Sequence, residues 1–168
     1  MCSEHIGRVV SIRHGRAISP AEPSCSILMA AMSQENVEIV RQFVERWESL
    51  DWDGVEDLVD PEVELHATVG GVEEGRVVRG LSEIQRDYEM AEETWEEHRI
   101  EAEELIDAGD HVVLFQREYQ RGRSSGVELE VEAAVIFDLG DGRIVRMQGY
   151  MDRGAALKAA GLPEQDGH

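Results

Sequence analysis

DHVVLFQREYQRGRSSGVELEVEAAVIFDLGDGRIVRMQGYM, residues 110–151, decides the fold. It holds three runs with strand-like alternation, over 110–121, 127–139 and 143–151. Between the second and third stands Gly140-Asp141-Gly142, the chemistry of a tight turn. A short helix is expected over 152–160, stopped at Gly161. In the first run Val113, Phe115, Arg117 and Tyr119 share one face, and Val112, Leu114, Gln116 and Glu118 the other. In the second, Leu129, Val131, Ala133, Val135 and Phe137 oppose Glu128, Glu130 and Glu132. In the third, Val145, Met147, Gly149 and Met151 oppose Arg146, Gln148 and Tyr150. The first-named faces are expected to line the concave side, with the glutamate ladder outward and within reach of Arg146.

Upstream the period changes to that of a helix. Val37, Val40, Val44 and Trp47 make one apolar stripe over 33–50, with Ser33 as its cap. Asp51-Trp52-Asp53 breaks it. Asp53 is then expected to cap a short helix through Val59, stopped by Pro61. Val63 and Leu65 alternate with Glu64 and His66 as a half-buried strand. A loop from Gly70 to Gly75 leads to a short strand at 76–79. Gly80 opens a third helix with Ser82 as cap and Ile84, Tyr88, Ala91 and Trp95 as its stripe. A strand over 99–106 turns at Asp107-Ala108-Gly109-Asp110. The sum is an α+β domain: a cone-shaped, curved, mostly antiparallel sheet wrapped over three helices, with a short closing helix.

A chain of 168 residues suits one domain with a real core. Its net charge of -20 opposes binding to nucleic acid, which needs a cationic face, and adsorption to anionic lipid. No apolar run approaches a membrane span, and no secretory leader pattern is visible, so a cytoplasmic protein is expected. Cys2 and Cys25 both precede the domain, which argues against a disulfide core or a cysteine–zinc site. Residues 1–31 differ from the rest: Arg8, Arg13 and Arg16 outnumber Glu4 and Glu22, and no period is sustained. This stretch is expected to be a disordered extension or a mis-called start, with a targeting peptide as the alternative, the domain over 32–162 and a tail over 163–168. Intact-mass measurement of the native protein tests this: a mass that includes Met1 overturns the mis-called start.

Several segments together resemble a known family. They are Leu50-Asp51-Trp52-Asp53-Gly54, Leu58-Val59-Asp60-Pro61-Glu62-Val63-Glu64 and Val78-Arg79-Gly80-Leu81-Ser82-Glu83-Ile84. Ile106-Asp107-Ala108-Gly109-Asp110, Asp141-Gly142-Arg143-Ile144-Val145 and Asp152-Arg153-Gly154-Ala155-Ala156-Leu157 complete the set. Over 32–162 the chain resembles bacterial SnoaL-like proteins of the nuclear transport factor 2 and ketosteroid isomerase superfamily, which have a cystatin-like cone. The resemblance implies a pocket for a small apolar molecule, no cofactor, no metal, and a homodimer formed through the outer face of the sheet. Isomerases of this type use an aspartate base, with a tyrosine and a protonated aspartic acid donating to the enolate oxygen. Those positions fall here on Leu65, with His66 beside it, on Phe43, and on Ala134 or Val135. All three roles are vacant.

The residues themselves offer other candidates. Arg117 interrupts an apolar phase expected to face the cavity, and a buried guanidinium needs an anion. It is either a ligand anchor, stabilising negative charge in catalysis, or a structural ion pair, or an arginine at the sheet edge. His66 titrates near neutrality and is the second catalytic candidate, although alternation turns it outward unless a bulge intervenes. Trp47, Tyr88, Trp95 and Tyr119 are candidates to stack on a flat ligand or simply to fill the core. Phe43, Leu65, Phe115, Val135 and Met147 complete the expected lining. His98 and His111 lie near turns and are expected in solvent. The function expected is a small-molecule pocket protein, as a cofactor-independent proton-transfer isomerase, cyclase or hydratase acting on an apolar carbonyl compound. The alternative is a non-catalytic ligand-binding or dimerisation module.

Overall fold

A computed structural model describes residues 8–11 and 27–164. Their order is β1 (Arg8–Ser11), α1 (Ile27–Glu48), α2 (Trp52–Glu56), β2 (Val59–Val69), β3 (Val77–Arg79) and α3 (Leu81–Glu92). Then come β4 (Trp95–Asp107), β5 (His111–Gly122), β6 (Glu128–Gly140), β7 (Arg143–Tyr150) and α4 (Arg153–Ala159). The strands form one curved, unclosed sheet in the order β1-β4-β5-β6-β7-β2-β3. β2 and β7 run parallel and the other described neighbours antiparallel. The expected α+β cone is the fold.

The β6–β7 hairpin turns as its sequence requires. Asp141 and Gly142 both have positive φ, at 52° and 76°, the geometry of a turn that follows the strand twist. Other boundaries differ from expectation. Within 1–31, Arg8–Ser11 pairs with β4, and α1 begins at Ile27 rather than Ser33. Both cysteines, and 165–168 of the tail, lie outside the described residues. Asp51, not Asp53, caps α2, accepting from the Gly54 amide at 3.1 Å. Pro61 stops no helix: it sits inside β2, where the ladder to β7 is interrupted between Val59 and Glu64, so its missing N–H goes unused. Ser82 does not cap α3; Gly80 does, with no side-chain bond. Ala91 is exposed and Trp95 begins β4, so neither belongs to the α3 stripe.

Both faces of the sheet are covered near its centre. On the helix side Val37, Val40 and Phe43 of α1 and Ile84 of α3 pack with Val63, Leu105, Val112, Leu114, Phe137 and Met147. On the opposite side Ala156 and Leu157 of α4 pack on Ile106, Val113, Phe115, Ala134 and Ile136. Each fully buried Val, Leu, Ile or Phe contributes roughly 1.5–3 kcal/mol.

This double cover overturns one expectation. β6 and β7 place Val135, Phe137 and Met147 on the concave side, as alternation indicates. A register shift after Asp138 brings Ile144, rather than Val145, into that core. In β5, however, Val112, Val113, Leu114 and Phe115 are all buried. The concave residues are Val112, Leu114, Gln116, Glu118 and Gln120, and Val113, Phe115, Arg117 and Tyr119 face outward. Where both faces are apolar, alternation has no phase, and a choice wrong by one residue inverts the strand.

Candidate active site

The inverted phase of β5 puts polar groups inside the cone. Gln116, Glu118 and Gln120 follow Leu114 along the concave face. Across the β4–β5 ladder they pair with Ala102, Ile100 and His98 respectively. α3 crosses this row and presents Tyr88 and Glu92.

His98 is the centre of the group. Its side chain is 9% exposed. Nδ1 is bonded to Glu92. Nε2 is buried, without a hydrogen-bond partner among the described residues, and lies 3.9 Å from Glu118 Oε2, beyond bonding length. Glu118 does most to raise the His98 pKa above its ordinary value; burial works against this, and Glu92 adds to it. A protonated His98 therefore persists to higher pH than a free imidazole. Glu118 is itself held: Gln116 donates at 2.6 Å to Oε1, and Gln120 at 3.4 Å to Oε2. Tyr88 donates to Glu92, and its pKa is pushed up to about 12, first by burial and then by the charges of Glu92 and Glu118.

An aromatic wall backs these groups. The Trp47 ring lies 4.9 Å from Trp52, 5.2 Å from Tyr88 and 5.4 Å from Phe43. Tyr88 is 6.4 Å from His98 by ring centroids. A cleft of about 760 Å³ opens between α1 and β4, lined by Val44, Trp47, Tyr88, His98, Ile100 and Ala102 together with the charged Arg41, Glu45, Arg99, Glu101 and Glu103. Glu48 stands at its rim, exposed to solvent on one side; partial burial against the cleft, then Glu45, pushes its carboxyl above the ordinary value. Tyr88, His98 and Glu48 thus bring a phenol, an imidazole and a carboxyl to one cleft of mixed polar and apolar lining.

The expected site residues divide between the two faces. Trp47 and Tyr88 line the cleft. Leu65 and Val135 line a second cavity at the mouth of the cone. Phe43 and Met147 are core, 4% and 3% exposed. Phe115 is on the α4 side under Arg153, and Tyr119 is on the outer face under Arg99. Arg117 is not inward. It is ion-paired with Glu103, Glu130 and Glu132 at 3.1–3.2 Å on the outer face, because it stands opposite Glu132 in the ladder. Arg146 pairs instead with Asp138. His66 borders the mouth cavity, but its ring is tied to Glu64 at 2.7 Å. The register shift in β2 follows it, at 67–68. His98, expected in solvent, is enclosed; His111 is 40% exposed and bonded to Asp138. Sequence reading missed His98, Glu92 and Glu118. The signal was available: Gln120 and Glu118 pair with Leu129 and Val131, whose inward face was legible.

Among the described residues no group of three or more His, Cys, Asp or Glu is placed to hold a metal ion. No described helix is long and apolar enough to cross a membrane.

A family model for a SnoaL-like domain matches residues 40–147. No functionally curated protein matches the chain. Among solved structures, a putative SnoaL-like polyketide cyclase from Jannaschia sp. CCS1 is 23% identical with a TM-score of 0.60, covering 89% of this chain and 99% of that one. An NTF2-like protein from Burkholderia thailandensis E264 is 23% identical with a TM-score of 0.63, covering 76% and 97%. A protein of ketosteroid isomerase-like fold from Catenulispora acidiphila DSM 44928, in complex with trimethylamine, is 18% identical with a TM-score of 0.57, covering 75% and 94%. At these identities the likeness is one of fold.

Proposed function

Because the chain belongs to the SnoaL-like domain family, matched over 40–147, we propose that it binds a small, largely apolar carbonyl compound on the helix side of its sheet and moves a proton within it, without a cofactor. The observation that carries this reading is the buried Nε2 of His98, which makes no hydrogen bond among the described residues although Glu118 lies 3.9 Å away, in a residue that lines a cleft of mixed polar and apolar walls. An imidazolium N–H there donates to a carbonyl oxygen. Glu48, which lines the same cleft, takes the proton from the adjacent carbon. The C–H pair becomes the new C=C bond and the carbonyl π pair moves to oxygen, which receives the His98 proton. Return of a proton to a different carbon completes an isomerisation; attack of the enol carbon on a second carbonyl completes a cyclisation. Occupancy of a structural relative by trimethylamine supports a small-molecule site in this fold.

A second reading, a non-catalytic binding module, is favoured by Phe43, Leu65 and Val135, which bring neither acid nor hydroxyl to the positions that family isomerases use. Exchange of the α-protons of cyclohexanone in D2O, followed by proton NMR, separates the two. The enzyme reading expects exchange above the buffer rate, reduced about 100-fold or more in His98→Gln. Binding of cyclohexanone with no exchange above buffer selects the module.

A further inference from the structure

The charges around the cleft between α1 and β4 do not cancel. Its lining sets four glutamates, Glu45, Glu48, Glu101 and Glu103, against two arginines, Arg41 and Arg99. Both arginines are already engaged. Arg41 is bonded to Glu38 and Glu45. Arg99 donates to Glu97 at 3.1 Å, and its guanidinium lies 4.9 Å from the centre of the Tyr119 ring on the outer face. Glu103 is taken by Arg117 and Arg153. Glu101 reaches only Arg99, at 4.0 Å, and Glu48 has no cationic partner among the described residues. Deeper in, His98 is one imidazole between two carboxylates, Glu92 and Glu118.

An anion entering this space would meet Glu48 and find neither arginine of the lining free. Carboxylate and phosphate ligands are opposed by that local field and by the net charge of -20. A cation is drawn in by both, and the walls suit it. Trp47 and Tyr88 line the cleft, and Glu48 follows Trp47 in α1. An alkylammonium gains from contact with an aromatic face, most of all with indole. The site is more than an acidic patch, because the enclosed His98 brings to it a buried Nε2 with no hydrogen bond among the described residues.

We propose that the ligand of the cleft carries a positive charge. It is an amino ketone in its ammonium form, with its oxygen at His98 and its alkylated nitrogen against Trp47, in the field of Glu48 and Glu101. This rests on the reading that a carbonyl compound binds at His98, and it narrows the substrate class from neutral to cationic carbonyl compounds. The attraction acts through space, so the Glu48 lone pairs stay free for the carbon-bound proton. A positive charge beside the reacting carbon also favours the enolate formed there.

The test uses a matched pair of ketones, 1,1-dimethyl-4-oxopiperidinium and 4,4-dimethylcyclohexanone, which share a shape and differ by one charge. Each is titrated against the full chain and followed by the imidazole NMR signal of His98. Both should move that signal, and the cation should bind about tenfold more tightly, with part of its advantage lost in high salt. The anion 4-oxocyclohexanecarboxylate should bind more weakly than either. Trp47→Leu should remove the advantage of the cation over its neutral twin. A measurement on the wild-type chain stands beside the variant: at equal ionic strength, tetramethylammonium should shift the Trp47 indole N–H signal and sodium should not. Equal or tighter binding of the neutral ketone, with His98 moved by both, overturns the charge assignment and leaves the carbonyl reading standing. A Trp47 signal unmoved by tetramethylammonium, or an advantage kept in folded Trp47→Leu, overturns the placement at Trp47. Ketones that never move His98 overturn the carbonyl reading, and this one with it.

Discussion

Arg117 stands directly across the β5–β6 ladder from Glu132, with Nη2 3.1 Å from Oε1. The pair is part of an outward row that also takes in Glu103 and Glu130. Coulombic attraction to Glu103 does most to hold the guanidinium pKa above its ordinary value. The Arg117 side chain is 40% exposed, so solvent and salt screen these pairs. Arg117→Ala is expected to lower the thermal midpoint slightly, less so in high salt, and to leave ketone binding unchanged. A loss of ketone affinity without loss of stability would return Arg117 to the site.

His98 makes stability depend on pH in a definite direction. Its folded-state pKa is raised, so the unfolded chain releases the proton first as pH rises. The attraction to Glu118 and Glu92 contributes in full below the ordinary value of about 6.5 and fades as pH climbs through the higher folded value. Thermal midpoints of the wild type and His98→Gln, compared from about pH 6 to pH 9, should converge as pH rises. Parallel curves would show that the histidine is not charged in the fold.

Tyr88 carries a phenol that resists ionisation, with a pKa near 12 from burial and the neighbouring Glu92 and Glu118 charges. Alkaline ultraviolet titration of the three tyrosines should show one late component. Tyr88→Phe should remove that component. If the late component persists in the variant, the buried phenol is another residue.

Gly149 leaves room that no other residue can leave. A Cβ there would sit 2.5 Å from Thr68 Oγ1 and 3.3 Å from the Thr68 Cα, so both the hydroxyl and the β2 backbone would have to move. Gly149→Ala should cost about 1–3 kcal/mol in urea unfolding. An unchanged midpoint would mean that β2 yields freely at 67–68.

How far the sequence could be read depended on which faces were covered. β6 was legible because Glu128, Glu130 and Glu132 are polar against Leu129, Val131 and Ala133, leaving one assignment of faces. β5 was not, because α1 and α4 bury opposite sides of Val112–Phe115 and erase the contrast. Arg117 and His98 were misplaced together by that single inversion and by the start of β4, since Trp95 continues the α3 spacing while already belonging to a strand. Trp52 looked like part of a helix breaker, yet its ring packs at 4.9 Å on Trp47, a contact that only the turn between α1 and α2 creates. The family resemblance located the cone and the vacancy of Phe43, Leu65 and Val135. It gave no hint of His98, which lies at none of those positions.

β4 contains the feature with the widest reach. His98, Ile100 and Ala102 face the helices, and so does Leu105, although strict alternation would turn Leu105 away. The register shift between Ala102 and Glu104 reconciles them. One extra residue thus acts as a phase coupling between the half of the strand that anchors the core and the half that carries the imidazole. Deleting Glu103 would restore strict alternation and leave both His98 and Leu105 facing the helices; what it would remove is the carboxylate that Arg117 and Arg153 share on the outer face. The irregularity thus serves the outer surface rather than the interior: one inserted residue supplies a hub for two arginines, one of them on the closing helix, without disturbing which side chains meet the core.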